Sequence, residues 1–161
     1  ALGTHGITVP AEARHTGLSA VAWPGRFQVI PGHPVLVLDG AHNRSSAACL
    51  RQTLHRHFEG SEWIIILATS CDKDIQGIVE ELLPGTRCFI ATRSGHARAS
   101  DPAVIQETVQ RLGGECLTAE SAESALGLAR SMIGEDGVIC MTGSLFLVGE
   151  ALRAEDVSCV I

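Results

Sequence analysis

Short apolar runs alternate with amphipathic stretches along most of this chain. Runs at 34–38, 63–68, 88–91, 115–117 and 138–141 are bounded by turn or charged residues and do not alternate with polar ones. That pattern predicts strands buried on both faces of a parallel sheet. Between them the apolar spacing becomes helical. Leu50, Leu54 and Phe58 line one face of 46–58, and Ile75, Ile78, Val79 and Leu82 line one face of 74–83. Val104, Ile105, Val109 and Leu112 do the same in 102–112, which opens at Pro102 and stops at Gly113-Gly114. A fourth helix over 122–133 follows a cap at Ser121 and ends at Gly134, and a last one runs over 144–153.

Strand and helix thus take turns with short connections, which predicts an α/β fold: a Rossmann-like, doubly wound, mostly parallel sheet with helices on both faces. Residues 26–30, just before Pro31-Gly32, read as an extra edge strand or an antiparallel addition. Residues 1–20 fit the pattern badly. Pro10 could open a short helix over 10–16, ended by Gly17, and the segment reads as the tail of a preceding domain and a linker. The domain proper is expected over 21–161.

Composition narrows the partners. A chain of 161 residues, 45% hydrophobic, is long enough for one domain with a self-sufficient core. It starts at Ala1-Leu2-Gly3 without a Met or a signal-like segment, which suits a piece of a longer cytoplasmic protein. No apolar run approaches the roughly 18–20 residues of a membrane span. The net charge of −6, with 12 scattered Lys and Arg, lacks the basic stripe that nucleic acid requires. The six cysteines (49, 71, 88, 116, 140 and 159) show no CxxC spacing and read as reduced, buried small hydrophobes. The seven histidines form no HExxH or His/Cys cluster, so no metal site is expected.

Two strand-to-helix junctions can carry chemistry, because ligands collect outside the carboxyl ends of such strands. In Asp39-Gly40-Ala41-His42-Asn43 an acid ends a buried strand, where it could accept the hydroxyls of a ribose. Asn43 could bond an adenine edge or cap the next helix; equally, Asp39 and Asn43 could serve only the turn. In Thr142-Gly143-Ser144 the following helix presents free N–H groups that favour a phosphate or carboxylate, or Ser144 is simply a cap. The chain has no GxxxxGK[ST], GxGxxG or GxSxG, so it cannot cradle a triphosphate by itself. Cys71 follows a strand without an evident base and reads as structural.

Trp23-Pro24-Gly25-Arg26-Phe27-Gln28, the Asp39–Asn43 loop and the 142–150 segment Thr-Gly-Ser-Leu-Phe-Leu-Val-Gly-Glu together resemble the C-terminal domain of folylpolyglutamate synthase/dihydrofolate synthase, in the Mur ligase superfamily. Lys73-Asp74 and Arg98 match further positions, and the resemblance runs from about Gly17 to Arg153. It implies an ATP-dependent, ADP-forming ligase that adds glutamate to dihydropteroate or folates through an acyl phosphate. Arg26, Asp39 and Asn43 would contact ATP, with Arg26 near the phosphates and Asp39 on the ribose. His42 and Ser144 would face the substrate side, Ser144 meeting a glutamate carboxylate. The P-loop and the ligands for Mg2+ would lie in the enzyme's own N-terminal domain, so this chain alone should be inactive. The whole enzyme would be a cytoplasmic monomer engaging neither nucleic acid nor membrane. Arg44, Ala97 and Phe146 depart from residues common in the family, namely Pro, Pro and Tyr. A cell-wall Mur ligase domain and a stand-alone nucleotide-binding regulatory module are the competing readings. Against them stand the missing Thr-Gly-Lys or Asp-Asn-Pro motifs and the hinge-like entry.

Overall fold

A computed structural model describes His5, Gly6 and residues 8–154. After a first helix, α1 (Ala11–Ser19), the order is β1 (Gln28–Ile30), β2 (Val35–Leu38), α2 (Arg44–His57), β3 (Trp63–Leu67), α3 (Ile75–Leu82), β4 (Thr86–Ala91), α4 (Pro102–Arg111), β5 (Cys116–Thr118), α5 (Ala122–Met132), β6 (Val138–Thr142) and α6 (Leu145–Ala154). The strands form one sheet in the order β1-β2-β6-β3-β4-β5, parallel except for β1, which pairs antiparallel with β2.

Handedness explains the layers. From β2 to β3, β4 and β5 the chain steps in one direction across the sheet, so right-handed crossovers place α2, α3 and α4 on the same face. Val37, Ile65, Leu67, Phe89 and Cys140 point into that layer, against Leu50, Leu54, Val79, Leu82, Ile105 and Val109. The return from β5 to β6 reverses direction and puts α5, then α6, on the opposite face. There Leu36, Leu38, Ile64, Ile66, Ile139 and Met141 meet Ala125, Leu126, Ala129, Leu147 and Val148. Strand side chains alternate between two buried layers, which is why β2 and β3 are apolar throughout and β6 is apolar up to its last residue, Thr142. Each fully buried Leu or Ile contributes about 1.5–3 kcal/mol from its removal from water.

Local signals set the helix ends. Ser121 caps α5 through Ser124, Asp101 caps α4 ahead of Pro102, and Gly113 takes φ +85° after α4. α2 starts two residues before the expected 46, because Asn43 accepts the Ser46 N–H while the Ser46 hydroxyl accepts the Asn43 N–H.

Some expectations fail. α1 runs through Gly17 to Ser19, where the Ser19 hydroxyl donates to the His15 carbonyl, and it buries no residue. An isolated glycine weakens a helix without ending it. β5 is an edge strand in which only Cys116 is buried, not a strand covered on both faces. Cys49 and Cys71 are exposed, whereas Cys88, Cys116 and Cys140 are buried as expected. Cys49 sits on the outer face of α2 and Cys71 on a loop; Cys159 lies outside the described residues. His96 is half-buried and stacks on Phe146, with ring centroids 4.1 Å apart.

Candidate nucleotide and carboxylate site

β6 sends its chain to α6 on one face, while its neighbours β2 and β3 send theirs to α2 and α3 on the other. Such a switch leaves a crevice at the carboxyl ends of the strands. Both chemical junctions lie there, since Leu38 pairs with Met141.

The Asp39 loop is built from both sides. Asp39 N–H donates to the Met141 carbonyl (3.1 Å), extending the β2–β6 ladder by one residue. Its carboxylate then bridges two backbones: Oδ1 accepts the Ala41 N–H at 2.8 Å, and Oδ2 accepts the Phe27 N–H at 2.7 Å. Gly40 N–H donates to the Gly25 carbonyl at 2.8 Å, so the turn formed by Trp23-Pro24-Gly25-Arg26 is bolted to this loop. A carboxylate offers about four acceptor positions. Two are used here, so turn-making and hydroxyl-binding do not compete for the same lone pairs.

Arg26 leaves that turn exposed, its guanidinium 5.8 Å from the Trp23 ring centroid. Among the described residues it makes no ion pair. An open cavity of about 480 Å³ lies beside it, lined by Arg26, Asp39 and Asn43 and floored by Ser45, Cys49 and Thr53. That volume suits a nucleotide-sized ligand. The floor escaped the sequence reading, although three small residues at i, i+4 and i+8 on one helix face were its signal.

The remaining residues divide. Asn43 is committed to its capping box, with Oδ1 accepting the Ser46 N–H at 2.8 Å. His42 Nδ1 lies 2.8 Å from the Gly40 carbonyl. A carbonyl only accepts, so Nδ1 carries the hydrogen and Nε2 is left as the ring's free nitrogen. Ser144 is 8% exposed and caps α6, its Oγ accepting the Phe146 N–H at 3.2 Å. Gly143 before it takes φ +97°, and a Cβ there would run into the Ala68 carbonyl.

Two further loops crowd the same edge. The Cys71 N–H donates to the Arg98 carbonyl, and the Gly95 N–H donates to Glu150 Oε1 at 2.8 Å, so the 94–99 loop is pinned to both the loop after β3 and α6. Lys73 pairs with Asp72 at 3.2 Å, a hydrogen bond that, with the nearby Arg98 charge, holds the Asp72 carboxyl below its ordinary range. Among the described residues no group of three His, Cys, Asp or Glu could hold a metal ion, and no helix is long and apolar enough to cross a membrane.

Known proteins share this architecture. A probable bifunctional folylpolyglutamate synthase/dihydropteroate synthase of Haloferax volcanii is 33% identical over 144 residues, covering 89% of this chain and 17% of that protein. The structure of Mycobacterium tuberculosis folylpolyglutamate synthase complexed with ADP superposes with a TM-score of 0.87 at 28% identity, over 95% of this chain and 37% of that one. A bifunctional folylpolyglutamate synthase/dihydrofolate synthase with Mn, AMPPNP and L-glutamate bound gives 0.83 at 25% identity, over 94% and 36% respectively. The chain therefore spans well under half the length of these relatives. The family described as Mur ligase, glutamate ligase domain, matches residues 25–145, and the chain belongs to it.

Proposed function

We propose that this chain is the C-terminal domain of an ATP-dependent, ADP-forming ligase that adds glutamate to dihydropteroate or folates through an acyl phosphate. One arrangement carries the reading: a cavity lined by Arg26 and the strand-end carboxylate of Asp39 follows β2, and the Ser144-capped start of α6 follows the neighbouring parallel strand β6. The crevice at these strand ends can hold a nucleotide and a carboxylate side by side. The relatives' complexes with ADP, and with AMPPNP and L-glutamate, support that pairing.

In this reading Arg26 steadies the phosphates as charge develops on the transferring group. Asp39 accepts ribose hydroxyls with its remaining lone pairs, and Asn43 borders the base. His42 Nε2 and Ser144 face the incoming glutamate, Ser144 through the hydroxyl and N–H groups at the start of α6. ATP also needs a divalent ion, Mg2+ in this reading; the described residues do not fit a metal site, and the ion is assigned to the phosphates and to an upstream P-loop domain. Residues 1–20 then belong to that upstream domain and its linker, and 21–161 to the C-terminal domain. α1 agrees with this because none of its residues is buried here. The whole enzyme would work as a cytoplasmic monomer without nucleic-acid or membrane partners; this chain's net charge of −6 is in keeping with the lack of a nucleic-acid partner.

The test is ADP release by the full-length enzyme given ATP, Mg2+, glutamate and either dihydropteroate or a folate. Release that requires both glutamate and pterin is expected, with none from the 161-residue chain alone. Glutamate-independent release, or turnover by the isolated chain, would overturn the assignment.

A further inference from the structure

Thr142 is the last residue of β6 and is completely buried. Its main chain is fixed by the sheet, since the Ala68 N–H donates to the Thr142 carbonyl at 3.2 Å. Its hydroxyl does something separate: Oγ1 donates to the carbonyl of Ala41 at 3.3 Å, across the crevice and 101 residues away in sequence. Ala41 is itself only 3% exposed, so water is a poor substitute for that donor. Ala41 lies between Asp39, whose carboxylate accepts its N–H, and His42. Gly143 and Ser144 follow Thr142 directly. The bond therefore joins the nucleotide-side loop to the turn that ends in Ser144.

We infer that Thr142 is a positioning residue whose hydroxyl fixes the spacing between the Asp39–Asn43 loop and the Ser144 turn. This rests on the ligase reading above. Small errors of placement are costly where two substrates must meet in line. Losing the hydroxyl should leave β6 in register, because the strand's own hydrogen bonds remain, and should free the 39–43 loop to drift. ATP and glutamate recognition should then deteriorate together, although Thr142 touches neither.

The test uses the full-length enzyme with Thr142→Val, which keeps the shape and deletes the hydroxyl, and Thr142→Ser, which keeps the hydroxyl. The valine variant should raise KM for both ATP and glutamate by about tenfold, and the serine variant should restore both to within about twofold of wild type. Thr142→Ala, with no branched side chain to accommodate, should show the same paired rise. A side chain that only supports folding would lower the fraction of active enzyme and the melting temperature while leaving both KM values unchanged, and that result overturns the inference. A rise in one KM alone also overturns it. A wild-type enzyme that shows no glutamate-dependent ADP release overturns the ligase reading itself, and the inference with it.

Discussion

The Asp39 carboxylate holds the backbone N–H of Phe27, twelve residues earlier, at 2.7 Å. Phe27 takes φ +43°, a conformation that a bulky residue adopts only when its surroundings impose it. Arg26 immediately precedes it. The acid at the end of β2 therefore fixes the turn that carries Arg26 and, with Arg26, lines the same cavity.

Asp39→Ala should consequently do two things at once. Loss of two charge-assisted backbone bonds should cost about 2 kcal/mol of stability, read by denaturant unfolding. In the full-length enzyme the ATP requirement should rise far more than that for pterin. Unchanged ATP dependence would reduce Asp39 to a turn residue.

Gly40 lies under Leu145, and a Cβ there would meet the Leu145 side chain and approach Arg26 Nη1 at 3.1 Å. Leu145 is half-exposed and can move, so Gly40→Ala should cost less than about 1.5 kcal/mol while displacing Arg26 and raising KM for ATP. Adding Leu145→Ala should reverse part of that rise. Failure of the double variant to recover would show that the added methyl acts on Arg26 directly rather than through its clash with Leu145.

At the other wall of the crevice, Ser144→Ala should raise KM for glutamate and leave that for ATP near wild type. Gly143→Ala should be much harsher. It combines φ +97° with a clash against the Ala68 carbonyl, backbone that cannot step aside, so a loss of at least about 2 kcal/mol is expected in thermal unfolding. A Gly143→Ala protein as stable as wild type would contradict that geometry.

Thiol labelling can map the cavity without any assay of activity. Among the described cysteines, Cys49 and Cys71 should react in the native protein, and Cys88, Cys116 and Cys140 only after unfolding. Because Cys49 lines the cavity, ATP or ADP should slow its labelling in the full-length enzyme and leave Cys71 unaffected. Equal protection of both, or of neither, would place the nucleotide elsewhere.

Burial pushes the Cys116 thiol from an ordinary 9.0 up to about 11, and moves Cys88 and Cys140 upward as well. The folded chain keeps protons that the unfolded chain releases, so these thiols favour the fold fully below pH 9.0 and progressively less as the pH climbs from there toward 11. Denaturant midpoints should decline over that interval. Cys116→Ala should flatten part of the decline.

The hydrophobic pattern alone determined the fold class, the parallel strands and most helix ends. A strand buried on both faces must be apolar throughout, and caps such as Ser121 and Asp101 act within a few residues of their own position. The junctions at Asp39 and Ser144 were legible for the same local reason, since each follows a strand and opens a helix, whereas Arg26 entered only through the family resemblance of the 23–28 segment. What the sequence left open was whether Asp39 makes a turn or faces a ligand; the tertiary structure showed that the turn takes one backbone bond on each oxygen, which leaves acceptor positions over. Strand order, which lays β6 between β2 and β3, is a long-range choice, and it alone brings Thr142 to Ala41 and creates the crevice. The same holds for the cavity floor on α2 and for the exposure of Cys49 and Cys71. Those depend on which helix face the sheet covers, a matter of packing between segments far apart in the chain.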